Sequence, residues 1–252
     1  MTVYMCKENL ESILCGVYDA WMSRKGHAQV KLQIVSDGNI ELFCEYIEVE
    51  ETPEKLDKVI SAIRSKISEE AWMEVSKAAL SQDPLRADKI YRFLIYGFHF
   101  GRKVVDMLQI PAVYDLFQLC RNVGNESHYF IEFIRFSEMK EGVLVSHIRP
   151  NNDVLAMVAP HFADRLSGEN WMIYDERRKK AVIHPADQNW FINEIDDPEW
   201  EKRMTEQTDE AVYQELWKAF FTSIAILERK NARCQRNHLP LRYREYMTEF
   251  QK

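Results

Sequence analysis

An α+β fold is predicted from three observations. Strand-like and helical periods occupy separate blocks of the chain rather than alternating strictly as βαβα. From Thr52 to about Ser127 the apolar spacing is helical and nearly free of strand patterns. From Glu126 to about Pro185 the two-residue period returns on both sides of one amphipathic helix. The expected order is an N-terminal strand–helix–hairpin, a helical middle, a C-terminal hairpin–helix–hairpin module and a long closing helix. Two regions follow, residues 1–125 and residues 126–252.

VYMC is a short apolar run that reads as the first strand. In ENLESILCGVYDAWM, Leu10, Ile13, Leu14, Val17, Tyr18 and Trp21 fall at helical spacing, and SRKGH breaks the helix. VKLQIVSDGNIELFCEYIEVE alternates on both sides of Asp37-Gly38-Asn39, which predicts a hairpin. Thr52 followed by Pro53 is a helix start, with a capping hydroxyl and a residue whose missing N–H does no harm in the first turn. Pro84 and Pro111 divide the helical region, and IYRFLIYGFHFG, apolar nearly all round, is expected to be its central buried helix.

The module after Glu126 begins with HYFIEFIRF as a strand, EMKEG as a turn and VLVSHIRP as the returning strand. NNDVLAMVAPHFADRL is helical, with Pro160 expected to kink or restart it. NWMIYDE and AVIHP form a second hairpin around a polar ERRKK turn. Residues 186–209 are acidic and read as a connector with some short helix. From Glu210 to about Asn237, Val212, Leu216, Phe220, Ile224 and Leu227 make one helical stripe, ended by Pro240.

The 252 residues are 46% apolar and 29% charged, a balance that excludes a disordered or collagen-like chain and allows a sizeable core without staples. Thirty-three Lys and Arg against forty Asp and Glu leave a net charge of −7, which disfavours a basic coat over the whole surface but not a local basic patch. The five cysteines are scattered with no CxxC pair, so reduced thiols are expected and no metal site is predicted. Glu residues stand where a signal peptide would be apolar, and no uncharged apolar run is long enough to span a bilayer. A cytoplasmic protein without membrane contact is expected.

Catalytic signatures are sparse. The chain has no G-x-S-x-G elbow, no GxxxxGK[ST] and no GxGxxG, and its histidines match neither HExxH nor a zinc pattern; no cofactor is predicted. Of the histidines, His161 is the most suggestive, because Asp164 and Arg165 share its helical face and Asp175 follows on the next strand. Those four residues are the candidate catalytic group; the plainer reading is a surface ion pair and a charged turn.

The C-terminal basic run points to a partner. Arg229, Arg233 and Arg236 project from one helical face, Lys230, Arg242 and Arg244 extend the charge, and Tyr243 and Tyr246 interleave aromatic rings. Guanidinium forks suit phosphate oxygens and tyrosines can stack on bases, so these residues are the candidate nucleic-acid contacts. The plainer reading is cations complementing a helix C-terminus, with tyrosines that simply pack. The aromatic residues of the central helices are read as core.

The block HYFIEFIRFSEMKEGVLVSHIRPNNDVLAMVAPHFADRLSGENWMIYDERRKKAVIHP and the string FFTSIAILERKNARCQRNHLPLRYREYMTEF, with the opening ESILCGVYDAW, resemble a bacterial family of unknown activity labelled as DNA metabolism or DNA repair proteins. The resemblance covers most of the chain. It implies a gene-neighbour and partner of a radical-SAM protein, with some relatives fused to a uracil-DNA-glycosylase-like domain. No such domain is expected here, and without a CxxxCxxC motif the chain is not itself expected to be the radical-SAM enzyme. The function expected is a DNA-metabolism accessory protein that binds nucleic acid, a radical-SAM partner, or both. The alternatives are an enzyme acting on nucleic-acid bases or sugars through the His161 group, and a structural adaptor without nucleic-acid contact.

Overall fold

A computed structural model describes residues 1–35, 41–139, 142–195, 231–247 and 250. The architecture is α+β, and the chain divides into two compact units. The N-terminal unit is Met1–Asn125 with Asn151–Asp153, and the C-terminal unit is Glu126–Pro150 with Val154–Lys252.

In the N-terminal unit, β1 (Thr2–Cys6) lies between β2 (Val30–Ile34) and β3 (Glu45–Glu48). Both neighbours run parallel to β1, with Tyr4 opposite Leu32 on one side and Ile47 on the other. The hairpin expected across residues 30–50 is therefore not formed. Two-residue alternation decides which side chains face the core but says nothing about the partner, and pairing with β1 satisfies it equally well. The turn residues Asp37-Gly38-Asn39 lie outside the described residues.

α1 (Leu10–Met22) makes the crossover from β1 to β2, started by Asn9, whose side chain accepts from the Ser12 amide at 2.9 Å. It packs tightly on the sheet at Gly16, where a Cβ would stand 2.7 Å from the Cys6 sulfur and 3.3 Å from Leu32. Thr52 caps α2 (Pro53–Lys66) with Pro53 at its start, as the sequence requires, and Ser68 caps α3 (Glu69–Ala79). α4 (Arg86–Phe100) buries Ile90, Tyr91, Phe93 and Leu94, but Tyr96 and Phe100 on its outer side remain about two-fifths exposed. The expected all-round burial thus holds for one face only.

α5 (Pro111–Phe133) runs straight through the segment expected to be a strand after His128. The reason is visible in the burial. Val123, Glu126, Ser127, Phe130 and Ile134 are buried at three- and four-residue spacing, while His128 and Glu132 pair at 3.2 Å on the exposed side. Alternation over HYFIEFI is a fragment of that helical stripe.

The C-terminal unit holds a five-stranded sheet in the order β4 (Ser137–Glu138), β5 (Leu144–Ile148), β6 (Trp171–Asp175), β7 (Lys180–His184), β8 (Phe191–Glu194). The β6–β7 hairpin matches the sequence reading. The first hairpin shrinks to two residues of β4 against β5, and the expected connector supplies an additional edge strand, β8. β5 and β6 are parallel, joined by α6 (Leu155–Arg165), which continues through Pro160.

Strand register sorts the side chains by face. Trp171, Ile173 and Asp175 share one face, on which Phe162 of α6 meets Trp171 edge to face; Val145, His147, Met172 and Tyr174 share the other. α7 (Ala232–His238) starts as a helix of its own: Asn231 is extended and its side chain accepts from the Cys234 amide at 3.0 Å, so the helix expected to run unbroken to about Asn237 is interrupted there by a local cap. A 3₁₀ turn follows at Leu241–Tyr246. The rest of the expected helix and of the acidic connector, including Arg229 and Lys230, lies outside the described residues.

Candidate nucleic-acid interface

The expected His161 group is not assembled. His161, Asp164 and Arg165 are exposed near the end of α6, where the chain turns into the start of β6 at Trp171. Asp175 is at the other end of β6, about 13 Å along the strand by its rise per residue. It is also fully buried and already engaged. Its carboxylate accepts from the Arg177 and Arg178 amides at 2.9 and 3.3 Å and from the Arg178 guanidinium at 2.9 Å. Burial pushes its pKa up, and Arg178 offsets only part of that rise. Asp175 is a turn-holding residue, and among the described residues no hydrogen bond links it to the three on α6.

A different cluster forms on the His147 face, wholly within the C-terminal unit. β5 presents His147 and, just past its end, Arg149 on one side. The β6–β7 turn is fastened beside them: the Glu176 amide donates to the Ile148 carbonyl at 3.1 Å, and the Arg178 guanidinium reaches the Pro150 carbonyl at 3.4 Å. Arg177, Arg178, Lys179 and Lys180 are thereby gathered at the end of β5. Lys179 has φ +54°, the left-handed conformation that closes this tight turn.

Behind them α5 and the C-terminal 3₁₀ turn enclose a cavity of about 20 Å³, whose lining includes Arg135, Arg149, Arg242, His147, Tyr246 and the buried Glu126. That is room for about one water molecule. Arg242 pairs with Glu126 at 3.3 Å and lies 4.7 Å over the Tyr243 ring. Tyr243 is only 5% exposed and packed against Tyr129, Phe130 and Phe133, so its ring is occupied by the core and is not open to a base. Burial pushes its hydroxyl up to about 12. Tyr246 donates to Glu176 at 2.6 Å and lies nearly parallel to His147. Arg244 donates to the Leu239 carbonyl at 3.2 Å, whereas Arg233 and Arg236 are exposed on α7 and form no ion pair among the described residues.

Electrostatics separates this cavity from the roomier groove of about 450 Å³ in the N-terminal unit. That groove sets Glu70, Glu74 and Asp106 against Lys77 and Arg121, a rim that does not favour a phosphate. The C-terminal cavity sets three arginines against Glu126 and stands next to four further cations of the turn.

A family model described as a domain of unknown function, DUF4130, matches residues 84–249. The chain belongs to this family. The DUF4130 match takes in α4, α5, the five-stranded sheet and every residue lining the basic cavity, and it begins after the three parallel strands. A search of the curated proteins finds no match. Among the described residues of this DUF4130 protein no group of three His, Cys, Asp or Glu is placed to hold a metal ion, and no helix is long and apolar enough to cross a membrane. All five cysteines are free.

Sequence reasoning missed His147, Arg149, Glu176 and the four turn cations as parts of one site. The one available signal was the run ERRKK, read as an ordinary polar turn. What gives it meaning is the parallel pairing of β5 with β6, which brings that turn to Arg149.

Proposed function

We propose that this protein is a nucleic-acid-binding accessory of DNA metabolism and that its C-terminal unit makes the contact. One observation carries the reading: Arg149, the Arg177–Lys180 turn and the arginine-lined cavity stand together at one end of the sheet in a chain of net charge −7. A local concentration of guanidinium groups against that background favours a phosphate-bearing partner, because each neutralised phosphate releases condensed counterions. Arg233 and Arg236, exposed on α7 a few residues before the turn that carries Arg242, add two further cations to the same unit. The resemblance described above supports DNA metabolism as the setting and a radical-SAM protein as a partner.

Fluorescence anisotropy with labelled single- and double-stranded oligonucleotides, titrated between 50 and 200 mM salt, tests the reading. Binding that weakens linearly in log affinity against log salt is expected, losing roughly a unit of slope per phosphate contact. No binding at low salt overturns it.

A further inference from the structure

We propose that His147 is the general base of a phosphodiester hydrolysis, with Glu176 and Tyr246 as its positioning residues. The inference rests on the nucleic-acid reading above and adds an activity to it.

The geometry is a relay of three side chains from three elements. His147 comes from β5, Glu176 from the β6–β7 turn and Tyr246 from the C-terminal 3₁₀ turn. One oxygen of Glu176 accepts from the Tyr246 hydroxyl at 2.6 Å; the other lies 3.4 Å from Nδ1 of His147. Burial, followed by that bond to Glu176, drives the Tyr246 hydroxyl well above the ordinary phenol range, so it remains a donor and holds the carboxylate in place. In a neutral imidazole, a carboxylate beside Nδ1 favours the tautomer with the proton there and the lone pair on Nε2. Nε2 forms no hydrogen bond among the described residues. The ring plane is fixed by Tyr246 at 17° and by the edge of Tyr174 at 86°.

The cavity beside this ring has room for about one water, and Arg135, Arg149 and Arg242 line it. Arg149 forms no hydrogen bond or ion pair among the described residues, which leaves its fork for non-bridging phosphate oxygens. In the step, Nε2 takes a proton from water as the water oxygen attacks phosphorus. The phosphorus–oxygen bond to one sugar then breaks on the side opposite the attacking water, the departing oxygen takes its proton from bulk water, and the imidazolium gives its proton up to solvent. One water is consumed, a diester becomes a monoester and an alcohol, and nothing is oxidised or reduced.

End-labelled DNA and RNA oligonucleotides incubated with the full chain, in parallel with magnesium and with chelator, give the direct test. Cleavage is expected, and His147→Gln should lower its rate by about a hundredfold or more while leaving oligonucleotide affinity and unfolding temperature near wild type. Tyr246→Phe should fold, bind and cut several-fold more slowly, with a displaced acid limb in the pH–rate profile. The charged and titratable groups facing His147 are Glu176, Tyr246, Tyr174, Arg149, Arg135, Arg242 and Glu126, and none is altered in these variants except Tyr246 itself. An oligonucleotide bound but never cut overturns this proposal and leaves the binding reading intact. Cutting that persists in His147→Gln also overturns it, and absence of binding removes both.

Discussion

Replacing Asp175 by alanine should unfasten the turn that gathers the basic residues. The side chain is fully buried and supports two turn amides and the Arg178 guanidinium, itself about one-fifth exposed. Breaking a buried ion pair from one side typically costs about 3–5 kcal/mol, and hydrogen bonds to a charged group contribute roughly 1.5–3 kcal/mol. Two features reduce this. Arg178 reaches water and the Pro150 carbonyl, and the carboxylate's own burial is unfavourable, as its raised pKa indicates. The expected loss for Asp175→Ala is therefore about 2–4 kcal/mol, and about 1–2 kcal/mol for Asp175→Asn, whose amide oxygen can still accept from the turn.

The pH dependence has a definite sign. A folded-state pKa above the unfolded value means that the charged form is the one disfavoured by folding. Its stabilising contribution is fully present below the unfolded carboxylate value and is lost as pH rises through the folded one. The gap between wild type and Asp175→Asn should thus be widest in acid and narrow towards neutrality. Urea unfolding at several pH values, followed by circular dichroism and by the fluorescence of tryptophans such as the buried Trp171, measures it. An alanine variant that loses less than about 1 kcal/mol, or an asparagine variant no better than alanine, refutes the reasoning.

Gly16→Ala should destabilise by about 1–3 kcal/mol, because its Cβ would press on Cys6 and Leu32 of two strands, whereas Gly168→Ala meets nothing within 4 Å and should be nearly silent in the same unfolding assay. Thiol labelling of the native protein should modify the exposed Cys234 first and spare the buried Cys6 and Cys120 until unfolding, since burial pushes Cys6 up to about 12 and Cys120 higher still; early labelling of either would contradict their packing. Ser68→Ala removes the 3.0 Å cap on the Ala71 amide and should cost about 1 kcal/mol by thermal unfolding.

Sequence legibility followed the range of the interactions involved. Local chemistry was readable: the Thr52–Pro53 start of α2 and the β6–β7 hairpin depend on residues within a few positions of one another. Pairing partners were not. β2 and β3 alternate as a hairpin would, yet both choose β1, and only the pairing of distant segments decides that. At His128 the alternation was a subset of a helical stripe whose remaining members, Val123 and Glu126, lay upstream of the assumed boundary.

The candidate site divided in the same way. Arg242, Tyr243 and Tyr246 were singled out from charge and aromatic content, and all three line the basic cavity, although Tyr243 is spent on packing. His147 and Glu176 are 29 positions apart and meet because β5 and β6 run side by side, a relation that no local motif encodes. His161 and Asp175 illustrate the converse: a shared helical face and a following strand brought nothing together, because the strand carries Asp175 away from the helix end.

The central claim, phosphate contact by the C-terminal unit, is tested most directly by comparing two sets of alanine variants in salt-dependent oligonucleotide binding. Arg149, Arg233 and Arg236 are exposed and form no ion pair among the described residues, so their joint removal should leave the fold intact. The slope of log affinity against log salt should flatten by roughly two to three units in that triple variant. Removal of Arg102 and Lys103, exposed in the N-terminal unit, should leave it unchanged. Equal slopes in wild type and the triple variant, or an equal loss in both variants, would contradict the account.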